Sequence, residues 1–133
     1  MAKNKAEAIK KKLSEKKYHE EALKHKNYLI ESIRVISRGI LDEQCPKIEG
    51  CIRLKVLIDN YSTQLHQQDD LQVIELIYAK TSHIPTLEKW KSLSKGEKLN
   101  FQNEMDSIEN AFAEKITKAA RFLKDYPFEA RHH

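Results

Sequence analysis

Glycine and proline are nearly missing from this chain: there are three of each in 133 residues, where ordinary usage would supply ~16 of the two together. Hairpins, primed turns and strained loops are built from these residues. A sandwich or barrel of many short strands is therefore excluded. Gly39, Gly50 and Gly96 also stand too far apart to form a glycine-rich loop. That removes the dinucleotide fingerprint, the Walker loop and the nucleophile elbow, and with them the enzyme classes they mark.

What remains is helix, and the few breakers mark its limits. The length suits one domain. Nothing interrupts residues 2–38. From Tyr18 onward, Ala22, His25, Leu29, Ile33, Ile36 and Ile40 follow spacings of 4, 3, 4, 4, 3 and 4, a heptad-type stripe on one helix face. The segment before it has an apolar face of only Ala6, Ile9 and Leu13, out of register with that stripe, and reads as an exposed basic helical extension over 1–17. After a connection from Asp42 to Pro46, a second helix is predicted from about Lys47 to His66, inward through Leu54, Leu57, Ile58, Tyr61 and Leu65. Gly50 weakens its first turn. Asp69 or Asp70 is the expected N-cap of a third helix, with Leu71, Ile74, Ile77 and Tyr78 inward, ending near Ser82 before Pro85. Thr86 caps a short helix containing Leu87, Trp90 and Leu93.

Ser94 and Glu97 then form a capping box, the hydroxyl taking the amide three residues on and the carboxylate reaching back. A long last helix follows from about Lys95 to Lys124. Its stripe of Phe101, Met105, Ile108, Phe112, Ile116, Ala119 and Leu123 repeats the spacings of the first helix. The expected fold is all-α: an antiparallel bundle of four main helices plus one short one, with the bundle over 18–126 and a C-terminal tail over 127–133.

The string from Trp90 to Phe101 is similar to the junction of the second and third helices in HMG-box DNA-binding domains. There the Trp is core and the Ser-x-x-Glu is a cap. The resemblance covers about a dozen residues and stops upstream. Where that family has a basic strand and an aromatic-rich first helix, this chain has Asp69, Asp70 and an Ile/Leu-rich helix. We read the match as helix-capping grammar.

Charge is distributed unevenly. Residues 1–17 carry seven Lys and two Glu, residues 18–114 carry a net −4, and residues 115–133 a net +3, for +4 overall. The basic candidates for an acidic partner or for DNA or RNA are Lys10, Lys11, Lys12, Lys16 and Lys17 at one end, and Lys115, Lys118, Arg121 and Lys124 at the other. The first group covers more than one helix face. The second is stepped by roughly 60° around its helix. The first group lacks the interleaved aromatics that stack bases, so nucleic-acid binding there would be electrostatic and salt-sensitive.

Other chemistry finds little support. Glu21/His25 and His66/Asp70 are spaced i,i+4. The Glu-x-x-His motifs and extra carboxylates of helical metal sites are missing, and so is His-Glu-x-x-His, so no metal and no cofactor are expected. Cys45 and Cys51 are spaced neither as a zinc knuckle nor as a redox pair, and read as reduced thiols at a helix connection. The Arg-x4–6-His signature of HEPN-type ribonucleases is absent after Arg34, Arg38, Arg53 and Arg121. No apolar run near the N-terminus resembles a secretory signal or a membrane span. His132 and His133 resemble the stump of an affinity tag. The reading is a cytoplasmic, non-enzymatic helical protein that binds another protein as an adaptor, inhibitor or immunity-type factor. The alternative is a nucleic-acid-binding accessory protein using its basic ends. The long stripes would equally serve a homodimer.

Overall fold

The computed structural model describes residues 2–130, with side chains from Asn4 to Glu129; Arg131, His132 and His133 lie outside the described residues. The chain is an antiparallel all-α bundle. Its helices are α1 (Ala2–Leu41), α2 (Lys47–Tyr61), α3 (Gln72–Thr81), the short α4 (Leu87–Lys91) and α5 (Lys95–Asp125). α1 packs against α2 and α5, and α3 closes the core between α2 and α5. There is no strand among the described residues, and no helix among them is long and apolar enough to cross a membrane.

The core follows the two stripes, but only where they overlap. Ile33 and Ile40 of α1 meet Ile116, Ala119, Ala120 and Leu123 of α5, all 1% exposed or less. The two small alanines leave room for α1 to approach closely. On α1 the covered stretch starts at Leu29; every residue from Asn4 to His25 is exposed. That uncovered part of α1 is a helical arm of about 33 Å at 1.5 Å per residue.

α1 ends through its own backbone. Gly39 carbonyl oxygen accepts from the amides of Gln44 and Cys45 at 2.8 and 3.0 Å, and Glu43 takes a left-handed φ of 59° to allow this. α2 starts at Lys47, directly after Pro46, so Gly50 does not weaken its first turn. Its role is packing. A Cβ there would lie 2.5 Å from Ile40 Cδ1 and 2.7 Å from Ile40 Cγ1, and Ile40 is itself enclosed. Gly96 is different, because the nearest atom to its Cβ position is 4.0 Å away. Gly50→Ala should therefore lose stability: overpacking costs about 1–3 kcal/mol, against a helix-propensity gain of up to ~1 kcal/mol. Gly96→Ala should gain about 0.5–1 kcal/mol. Urea unfolding of the two variants should move in opposite directions.

The long second helix expected from the sequence is interrupted. α2 stops at Tyr61, Ser62 is extended (φ −165°, ψ 118°), and two 3-10 turns, Thr63–Gln67 and Asp69–Leu71, lead into α3. Ser62 and Thr63 side chains compete with the helical backbone, and the break lets Leu65 and Leu71 both reach the core at 1% and 0% exposure. Neither Asp69 nor Asp70 caps α3. Leu71 takes the cap position without a side-chain hydrogen bond. Thr86 precedes α4 without one too. The capping box at Ser94 and Glu97 is present: the Glu97 amide donates to Ser94 Oγ at 3.1 Å and the Ser94 amide donates to Glu97 Oε1 at 3.0 Å.

The chain stays on the bundle after α5. Phe128 is fully buried, edge-on to the Tyr61 ring at 5.2 Å and to the Tyr126 ring at 4.8 Å. Arg34 of α1 holds this segment. Its guanidinium lies 5.4 Å from the Phe128 ring centre, pairs in a fork with the Glu129 carboxylate, and donates to the Tyr126 carbonyl at 3.2 Å. The hydrogen bonds from Arg34 hold the Glu129 carboxyl down at about 2. Because Arg34 meets the chain just past α5, the end of α5 lies at the base of the arm.

Candidate functional site

Two surface features stand out, and the arm of α1 is the larger. It presents Lys10, Lys11, Lys12, Lys16 and Lys17, all exposed, together with Ile9, Leu13 and Tyr18 at 59, 62 and 74% exposure. Ala6, Ile9 and Leu13 share one face. Tyr18 points away from it by roughly 140° on the 3.6-residue turn. At the foot of the arm lies an open groove of about 640 Å³ between α1 and α2. Tyr28, Val35, Ile36, Ile52, Val56 and Leu57 supply its apolar lining, with Glu31 and Arg53 among the polar residues beside them.

The C-terminal basic residues are placed apart from the arm's lysines. Lys118 pairs with Asp70 at 3.4 Å. Lys115 lies 5.9 Å from the centre of the Phe112 ring, which Lys80 also approaches, at 5.7 Å. Arg121 lines a shallow depression with Gln68, Asp125 and Tyr126, and Lys124 is exposed. Arg34 marks the level of the end of α5, and Lys17 to Lys10 lie roughly 25–36 Å further along the helix. The two basic groups therefore do not form one continuous patch.

Glu21 and His25 stand exposed on the arm. His66 does not face Asp70. The break after Tyr61 turns it back onto α2 and α3, where it joins a polar cluster that the sequence did not suggest. His66 Nε2 lies 2.7 Å from Asp59 Oδ1, and its Nδ1 lies 3.4 Å from Glu75 Oε1. Lys55 Nζ donates to Asp59 Oδ2 at 2.6 Å and sits 3.4 Å from Glu75 Oε1. Burial works to raise the Asp59 pKa, but the hydrogen bonds from Lys55 and His66 outweigh it and hold the carboxyl below its usual range. The same bond to Asp59 raises Lys55. In an unbroken helix Asp59 and His66 would be separated by about 10.5 Å along the axis, out of contact. No spacing rule could have paired them.

Cys45 is half-buried and Cys51 buried, both as free thiols. Burial pushes Cys45 up, and pushes Cys51 up to about 12. This is the opposite of an activated nucleophile.

The family described as "Protein of unknown function (DUF2489)" matches residues 2–123. The chain belongs to that family. The DUF2489 match takes in the arm as well as the bundle, so the projecting half of α1 is part of the family's own region. No curated protein and no solved structure matches the chain.

Proposed function

We propose that this DUF2489 protein is a non-enzymatic interaction protein that engages another protein through the arm of α1 and the groove at its foot. The observation that carries the reading is the run of exposed helix from Asn4 to His25. An exposed run of helix lacks the tertiary packing from which most helical stability in proteins comes. Ile9 and Leu13 gain nothing from their own bundle, whereas a partner laid along the arm would bury them and supply the missing stabilisation. Adaptor, inhibitor and immunity-type roles are all of this kind. The two thiols held protonated support a non-catalytic role, and their reduced state suits a cytoplasmic setting.

A second reading, electrostatic binding of nucleic acid, is favoured by the five lysines displayed around the same arm. Cross-linked affinity capture from the native host separates the two. The bait is the full chain, compared with an Ile9→Asp/Leu13→Asp variant. Both positions lie outside the core, so melting of the bundle should be unchanged. A captured protein lost with the variant supports the first reading; the same capture by both baits rejects it. Retention of nucleic acid that weakens by a factor on the order of 10 or more between 50 and 200 mM salt supports the second.

A further inference from the structure

We propose that the partner seated on the arm and groove is a second copy of this chain, the two α1 helices lying antiparallel so that the tip of each arm fills the groove of the other. The inference rests on the reading of this surface as an interface and names its occupant. It starts from one face of α1. At 100° per residue, Leu13, Lys17, Glu20, Lys24, Glu31 and Val35 fall within about 60° of one another, and all six are exposed. Ile9 and Tyr28 flank this strip, each about 20° outside it. The strip runs unbroken from the arm onto the bundle, where α2 borders it to form the groove.

The two ends of the strip are apolar and its middle is charged. Ile9 and Leu13 are 59 and 62% exposed at one end, Tyr28 and Val35 64 and 54% at the other. Lys17, Glu20 and Lys24 lie between them. Such a pattern complements itself in one direction only. Reversed about residue 22, Ile9 faces the partner's Val35, Leu13 faces the partner's Glu31 one turn from its Tyr28, and Glu20 faces the partner's Lys24. Two-fold symmetry makes every pair twice, so the middle holds two Glu20–Lys24 ion pairs. A parallel pair would instead set Lys17, Glu20 and Lys24 each against its own copy, and like charges across an interface are penalised.

The charge of the groove suits the basic tip. Arg53 is already paired with Glu49 at 3.1 Å, so the carboxylate of Glu31 is what the groove offers. In this register it lies between the partner's Lys10 and Lys17, which stand one turn to either side of Leu13. On the larger scale, residues 1–17 carry a net +5 and residues 18–114 a net −4, so each tip rests on the acidic part of the other copy. The bundles do not collide. Leu29 of each copy stands opposite residue 15 of the other, which holds the two bundles about 21 Å apart along the helix axis.

The test is sedimentation equilibrium of the full chain over a concentration series reaching several hundred micromolar. The expected result is a monomer–dimer equilibrium with nothing larger, as a closed two-fold pair requires. Glu20→Lys and Lys24→Glu each place like charges at both central pairs, and each should weaken the dimer by about 10-fold or more. Both positions are exposed on the arm, and melting of the bundle at a concentration where the chain is monomeric checks the fold. An equimolar mixture of the two variants restores opposite charges at both pairs and should give a heterodimer of parental strength. A chain that stays monomeric throughout the series overturns the second copy as occupant, while a host protein lost with Ile9→Asp/Leu13→Asp would still uphold the surface itself. A dimer indifferent to Glu20→Lys, or a mixture that associates no better than its components, overturns the antiparallel pairing.

Discussion

Phe128→Ala should cost about 3–5 kcal/mol, the usual range for emptying a buried aromatic site. It is the largest stability effect expected from a single truncation here. The ring is wholly enclosed, and its contacts join parts of the chain far apart in sequence. Tyr61 ends α2, Tyr126 follows α5, and Arg34 comes from the last third of α1. Removing the ring leaves a cavity that three separate elements would have to close, and it takes the apolar floor from beneath the Arg34 guanidinium. Melting should fall by on the order of 10 °C or more. Phe122→Ala serves as the comparison, because Phe122 is only half-buried, and it should cost clearly less. A loss below about 1 kcal/mol for Phe128→Ala would mean that the segment after α5 does not hold the bundle together.

The second large effect is kinetic. Burial holds the Cys51 thiol at about 12, well above its ordinary 9.0, so very little of it is thiolate at neutral pH. Cys51 is also only 1% exposed, so a thiol reagent must wait for the protein to open. Under native conditions Ellman's reagent should titrate Cys45 alone, more slowly than a free cysteine. In urea both should react at once. Mass mapping of the alkylated peptide identifies which thiol was modified. Two equally fast thiols in the folded protein would contradict the burial of Cys51 in the core.

Much of the fold was legible from local chemistry. The capping box fixed the start of α5 because both of its hydrogen bonds are made within four residues. Pro85 gave the end of α3, and the matched stripes gave the pairing of α1 with α5. Three features were not legible, each because it depends on contacts distant in sequence. The break at Ser62 has no glycine or proline to announce it; it is favoured by what Leu65, His66 and Leu71 reach once the helix stops. The stripe from Tyr18 to His25 continues the pattern of Leu29 to Ile40, and periodicity does not say where the covering helix ends. Phe128 lies beyond Pro127, where sequence suggests a tail, and its docking depends on Arg34 and Tyr61. The His66 cluster follows from the first of these features. It became visible only when the helical spacing between Asp59 and His66 was lost.

The arm changes how the molecule's charge should be understood. From Lys17 back to Lys10, the lysines stand about 18–28 Å along the axis from Leu29, where packing begins. At physiological salt the screening length is about 8 Å. Charges at the tip are therefore electrically separate from the mildly acidic bundle, and a net charge of +4 describes neither part. A polyanion or a cation-exchange resin would meet a small, strongly basic rod, whereas a probe at the far side of the bundle would meet an almost neutral body. Retention on such a resin should follow the local charge of the tip, so removing the arm would shift elution far more than removing the same number of lysines scattered over a sphere.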